Sequence, residues 1–306
     1  MADIDAALPN PSPAIKAAVD REDVPVLDIG SVLAGLGGAL AQAAADVRYI
    51  QRHLGFYYIE NHGVDQTLID AGFAQLRKFF DQPMGEKLKL RVNRHQIGYV
   101  PPHASVMKTA LTDVNKKPDT NEGLGFMRER AADDPKVVAD VRFSGRNQWP
   151  DSLPGFRETF LAYHAAMERL GQSLLPIYAV ALGKPAEFFA PFFEDAHYYN
   201  RNSHYPATDA EEGQHSIGAH TDHNFMALLP MSAVPALEVE RPSGGWVEAP
   251  IVPGAIVVNT GEFLNRWSNG VFRAIPHRVI IPTRDRYALT FHYNPMDDAV
   301  AAPLDT

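Results

Sequence analysis

The residues with the clearest chemical potential are His220 and Asp222, flanking Thr221, with His277 further along the chain. In a strand, residues i and i+2 project from the same face. His220 and Asp222 would therefore present an imidazole and a carboxylate together, and a second strand would bring His277. Two imidazoles and one carboxylate leave adjacent coordination positions open. That suits an iron(II) ion that must also take dioxygen and a chelating co-substrate; the same donors would hold zinc with a hydrolytic water. His223 competes as a donor, but at i+3 from His220 it leaves the shared face, so it is expected to line a pocket. His204, His215 and His292 have no spacing to recommend them. The 306-residue chain contains no cysteine, which excludes disulfides, thiolate-held metals and thiol nucleophiles. Any metal must rest on His and carboxylate.

His277 lies in the strand-like stretch Phe272–Ile280, where a polar side chain is costly to bury without a partner. Arg286 opens the next such stretch, Arg286–Tyr293. A guanidinium grips a carboxylate through two parallel hydrogen bonds, so beside such a metal Arg286 could hold the far carboxylate of a dicarboxylic co-substrate.

These residues need strands to carry them. Eight short segments rich in Val, Ile, Tyr and Phe follow one another from residue 196: 196–205, 216–220, 225–229, 237–240, 246–249, 255–259, 272–280 and 286–293. With Gly, Pro and Asn between them they predict a double-sheet jelly roll, the metal ligands facing inward at its mouth. Upstream, residues 24–29 and 56–59 read as strands. Helical apolar spacing appears over 39–53, from 65 to about 80 and over 154–182, with Pro176 placed to bend the last, and a short helical turn is expected at 186–193. Residues 1–23 are expected to form a loose arm. Residues 91–148 lack a pattern, and a stretch this long suggests an ordered wall around a binding site. The predicted organisation is an arm (1–23), a helical and strand region bearing the wall (24–182) and a jelly-roll core (183–306), joined in one globular unit.

The net charge is −9, with a pI near 5.7. Local basic groups such as Lys87–Arg94, and Lys108, Lys116 and Lys117 among Asp113, Asp119 and Glu122, read as solvated surface rather than the basic face a nucleic-acid binder needs. No apolar run is long enough to span a bilayer. Met1 to Asn10 has neither a basic nor an apolar signal region, and a cytoplasmic location is expected. There is no phosphate loop or dinucleotide fingerprint.

Taken together, the residues resemble the iron(II)- and 2-oxoglutarate-dependent oxygenases of the isopenicillin N synthase-like group. The resemblance runs through Val24–Asp28, Gly55–Gly63, Gly218–His223, Gly245–Val247, Val252–Ala255, Val258–Glu262, Ser268–Gly270, His277–Val279 and Arg286–Ala288. It implies a double-stranded β-helix, mainly β with flanking helices. It further implies that His220, Asp222 and His277 bind Fe(II), and that Arg286 with Tyr205 holds 2-oxoglutarate. The reaction implied is O2-dependent oxidation of a C–H bond, most simply hydroxylation, with desaturation or ring closure as other outcomes. Two positions depart from the group: Ala288 stands where Ser is common, and Ser203 where an Asn near the co-substrate is usual. The expected substrate is a small, partly apolar organic molecule lined by Tyr99, Val100, Phe126, His223, Asn224, Phe225, Phe291 and Tyr293. Three other readings stay open: an iron oxidase driven by substrate electrons without 2-oxoglutarate, a zinc hydrolase, and a non-catalytic binding protein. The oligomeric state is not fixed by the sequence.

Overall fold

The computed structural model describes residues 7–104, 118–209, 211 and 214–305. The N-terminal half supplies strands β1 (Val26–Asp28), β2 (Phe56–Glu60), β3 (Gly98–Val100) and β4 (Glu122–Met127). Each of the eight segments expected after residue 195 contains a strand, though in 272–280 it is confined to His277–Val279. They are β5 (His197–Tyr205), β6 (Ile217–His220), β7 (Met226–Pro230) and β8 (Leu237–Glu240). The series continues with β9 (Trp246–Glu248), β10 (Ile256–Thr260), β11 (His277–Val279) and β12 (Arg286–Asn294). One sheet has the order β1-β2-β10-β7-β12-β5-β4-β3 and a smaller one β6-β11-β8-β9, the two-sheet jelly roll predicted.

Two pairings fix the site. Antiparallel β12 and β5 run in unbroken register from Arg286 opposite Tyr205 to Asn294 opposite His197. In the smaller sheet, His277 on β11 lies opposite His220 on β6. Directly opposed residues share a face of the sheet, so each pairing sets a row of side chains at one depth.

Helices α2 (Ala39–His53), α3 (Gln66–Phe80) and α4 (Phe156–Ala181) pack against the large sheet's outer face, and α1 (Pro13–Asp20) packs on α2. The apolar stripe of α4, including Phe160, Met167 and Leu174, is buried with Phe291 and Tyr293 of β12. Gly171 permits close contact, since a Cβ there would lie 2.7 Å from the Tyr293 ring. The helix continues through Pro176 to Ala181. Among the described residues no helix is long and apolar enough to cross a membrane.

The structure corrects three expectations. Within the supposed loose arm, α1 buries Ile15 and Val19, and Ser12 at its start donates from backbone and hydroxyl to Asp46 at 2.6 and 2.8 Å. The unpatterned region contains β3 and β4; Gly123 and Gly125 had obscured β4, because glycine is a poor strand former. Residues 105–117 of that region, including Lys108, Asp113, Lys116 and Lys117, lie outside the described residues. Lys87 and Glu122, read as solvated, form a buried ion pair at 2.8 Å that also engages Tyr99 and His204, and Asp119 is buried too.

The described parts of this region are tied by local hydrogen bonds. The Asn93 side chain accepts from the amides of His95 and Ile97 at 2.9 and 3.3 Å, tying a loop in which Gln96 adopts φ 62°. Phe143 is also left-handed, at φ 67°, a conformation that costs a bulky side chain energy and persists where neighbours enforce it.

Candidate active site

β6 delivers His220, the loop after it Asp222, and β11 His277. One donor atom from each lies within 4.8 Å of the others. His220 Nδ1 is 2.8 Å from the Gly218 carbonyl and His277 Nδ1 3.3 Å from the Ile275 carbonyl. A carbonyl can only accept, so each Nδ1 donates, and Nε2 is the ring nitrogen left for a metal. Both Nε2 atoms stand 3.8 Å from Asp222 Oδ1. Behind the carboxylate, Asn259 on β10 donates to Asp222 Oδ2 at 2.9 Å. His292 Nδ1 lies 3.9 Å from the same oxygen and 2.6 Å from the Asn224 side-chain nitrogen. Gly261 makes room for Asn224, whose carbonyl oxygen would be only 2.3 Å from a Cβ there.

Burial, reinforced by His277, pulls the His220 imidazole down to about 4. Burial would raise the Asp222 carboxyl, but His277, His292, His220 and Asn259 together hold it well below the usual carboxylate range. At neutral pH His220 thus offers a free lone pair and Asp222 an anionic oxygen, the protonation states metal binding requires. The buried, oriented donor set fits a divalent ion with open positions.

Arg286 is buried at the same depth as Tyr205. Its Nε donates to the Val234 carbonyl at 3.2 Å and its guanidinium lies 4.9 Å from the Tyr205 ring centroid. Nη1 has no hydrogen-bond partner among the described residues. Burial is the main influence lowering its pKa, opposed by Tyr205. A buried cation with an unused donor fits a carboxylate ligand. Ser203 and Ala288 face each other on the next row inward, and both line the cavity.

This cavity, of about 550 Å³, includes the three donor residues, Arg286, Tyr205 and Ser203. Of the expected pocket residues, His223 and Asn224 line it; Tyr99, Val100, Phe126, Phe225, Phe291 and Tyr293 do not. The reason is strand parity. On β12 the cavity face belongs to Arg286, Ala288, Thr290, His292 and Asn294, leaving Phe291 and Tyr293 on the helix side. On β4 Met127 faces inward, whereas Phe126 stacks on Trp149 with centroids 4.4 Å apart. Phe225 packs with Phe189 and Phe193, and Tyr99 bonds to Glu122. Val100 is half-buried away from the cavity.

Sequence reasoning missed Tyr199, Arg201, Thr290 and His292, which the same alternation counted from Tyr205 and Arg286 would have found. It also missed the role of Asn259, for which no spacing signal exists.

Comparison with known proteins agrees with this geometry. Residues 24–152 match the family model described as non-haem dioxygenase in morphine synthesis N-terminal, and residues 196–295 match the 2OG-Fe(II) oxygenase superfamily. The 2-oxoglutarate-Fe(II) type oxidoreductase hxnY of Emericella nidulans is 32% identical, over 92% of this chain and 82% of that protein. Kihadalactone A synthase LFS of Citrus sinensis is 32% identical, over 87% of this chain and 81% of its own length. The crystal structure of a full-length Neurospora crassa protein, in complex with alpha-KG and 5-formyluracil, superposes with a TM-score of 0.80 at 26% identity, covering 92% of this chain and 88% of that one. The chain belongs to the 2OG-Fe(II) oxygenase superfamily, as a non-haem Fe(II)/2-oxoglutarate-dependent oxygenase that oxidises a C–H bond of a small organic molecule.

Proposed function

We propose that His220, Asp222 and His277 are the iron ligands, that Arg286, Tyr205 and Ser203 anchor the distal carboxylate of 2-oxoglutarate, and that the reaction on the substrate is hydroxylation. The carrying observation is that three donors within 4.8 Å of one another share a cavity with a buried guanidinium whose Nη1 is unpaired. Iron, 2-oxoglutarate and dioxygen together supply an oxidant able to take hydrogen from a C–H bond, releasing succinate and carbon dioxide.

This chain's residues do the positioning. Gly218 and Ile275 hold the imidazole rings by their Nδ1 protons, and Asn259 restrains the carboxylate from rotating. Phe56, Leu229, Leu237, Val257, Ile217 and Val279 line the cavity and keep water from the reacting centre. Hydroxylation needs one hydrogen abstraction and no second acceptor, and so is the simplest outcome.

Ala288 favours a second reading, the oxidase that needs no 2-oxoglutarate, because it lacks the hydroxyl common at its position. Ser203 directly opposite offers a hydroxyl from the neighbouring strand, which supports co-substrate use. A cytoplasmic site of action fits the cysteine-free composition and the reducing conditions iron(II) needs.

The test is oxygen consumption by anaerobically iron-loaded protein, with and without 2-oxoglutarate, while succinate is followed. Succinate formation dependent on both iron and 2-oxoglutarate is expected. A product heavier by one oxygen atom marks hydroxylation, and loss of two hydrogens marks desaturation or ring closure. Tight iron binding without 2-oxoglutarate turnover in the presence of substrate would favour the oxidase.

A further inference from the structure

The cavity holds a second guanidinium. Arg201 lies on β5, on the same face as Tyr205 and Ser203 but two rows along from Tyr205, between Ser203 and Tyr199. Four residues of strand separate it from the Arg286–Tyr205 row, about 13 Å along the sheet. The two guanidiniums are thus rooted on different rows of the cavity face.

Arg201 is half-buried, and its charge bears on the His220, Tyr199 and His292 side chains. Among the described residues its side chain has no ion pair, and the only carboxylate lining the cavity is Asp222, which is turned to His220, His277 and Asn259. Its flank is kept open: the β4 residue opposite it is Gly125, followed by Gly123 opposite Ser203. A Cβ on Gly125 would come within 2.8 Å of the Tyr199 ring, so glycine there lets Tyr199 lie back beside Arg201. On the other side Thr290 of β12 is its opposite neighbour, and Met127 and Phe143 add apolar surface further out.

Charge accounting points the same way. A divalent iron and Arg286 are matched by Asp222 and a dianionic 2-oxoglutarate. Arg201 is then the uncompensated cation of the described cavity, in surroundings where an unpaired charge is costly. We propose that Arg201 is the substrate's anchor and that the substrate is an organic monoanion, a carboxylic acid with an apolar body, held by its carboxylate at Arg201 so that its carbon chain lies toward the His220–Asp222–His277 centre. This rests on the reading that Arg286 serves 2-oxoglutarate, and it leaves the neutral face of the cavity, Tyr199, Met127 and Phe143, to hold the apolar body.

The test uses calorimetric titration of protein loaded with redox-inert Mn(II) and saturated with 2-oxoglutarate. The probes are matched pairs of aliphatic and aromatic monocarboxylic acids and their primary amides, for example 3-phenylpropanoate, 4-phenylbutanoate and octanoate. At least one acid is expected to bind at millimolar concentration or below, on the order of tenfold to a hundredfold more tightly than its amide. Arg201→Gln should remove that preference, and Arg201→Lys should restore part of it, since the charge returns without the fork. Binding of no acid, amides binding as well as acids, or an unchanged acid preference in Arg201→Gln would overturn the proposal. So would a loss of 2-oxoglutarate affinity in Arg201→Gln matching that in Arg286→Gln, which would assign Arg201 to the co-substrate instead. If 2-oxoglutarate fails to bind the wild-type protein at all, the fault lies with the reading of Arg286, and the two failures are told apart by this control.

Discussion

Ser203 and Ala288 meet across β5 and β12 beside Arg286, the arginine proposed to hold the co-substrate. If the Ser203 hydroxyl replaces the one missing at Ala288, Ser203→Ala should raise the KM for 2-oxoglutarate roughly threefold to tenfold, as for loss of one hydrogen bond, with kcat little changed. Adding Ala288→Ser in that background should return KM towards the wild-type value; steady-state succinate assays read both. The residues that bear chemistry by type were legible in the sequence: His220, Asp222, His277 and Arg286 all fall in one cavity. What the sequence hid was which of two alternating sets faces inward. Phe291 and Tyr293 attracted attention because aromatics suggest a binding surface, yet large apolar side chains are more strongly drawn to the helix-covered face, which holds the main core. The inward set, with Thr290, His292 and Asn294, is polar and looked inert.

At the level of elements, the strands were readable where Val, Ile and Tyr supply the signal and unreadable where glycine serves the site, as in β4. The same trade between side chain and space recurs on α4. Gly171→Ala would push a methyl group against the Tyr293 ring, 2.7 Å away, on the helix-facing side of the strand whose other face carries Arg286 and His292. A loss of about 1–3 kcal/mol in chemical denaturation is expected; an unchanged unfolding midpoint would mean that the ring moves aside freely. The short helix Glu262–Trp267, which follows β10 and buries Leu264 and Trp267, had no helical period long enough to read. Its value to the site is positional: its first amide donates to the Asp222 carbonyl at 2.7 Å.

For the molecule as a whole, pH stability depends on histidines that the fold keeps neutral. Burial brings His164, on α4, from 6.5 down to about 4, although its hydrogen bond with Asn200 and the charge of Glu129 pull the other way. The unfolded chain takes up a proton near pH 6.5 and the folded chain only near 4, so stability should fall as pH drops through that window and level off below it. His164→Gln should lessen the fall by on the order of 2 kcal/mol, measured as the difference in unfolding free energy between about pH 7 and pH 5 for variant and wild type. An equal fall in both proteins would place the acid sensitivity elsewhere, as in His220 or His292, whose buried rings are shifted in the same direction.

The order of strands in the large sheet has a consequence for how the chain reaches this state. β2 is made early, but its antiparallel neighbour β10 arrives late, and Tyr58 hydrogen-bonds to the Pro250 carbonyl 192 residues away. During synthesis, Phe56–Glu60 must therefore wait as an apolar strand with one edge unpaired until most of the chain has left the ribosome. Such long-range pairing slows folding and prolongs exposure of a sticky edge. Yield in a heterologous host should thus respond more to translation rate, growth temperature and chaperone supply than to iron, because β10, which covers the open edge of β2, emerges only after most of the chain, and β11 and β12 with His277 and Arg286 follow it.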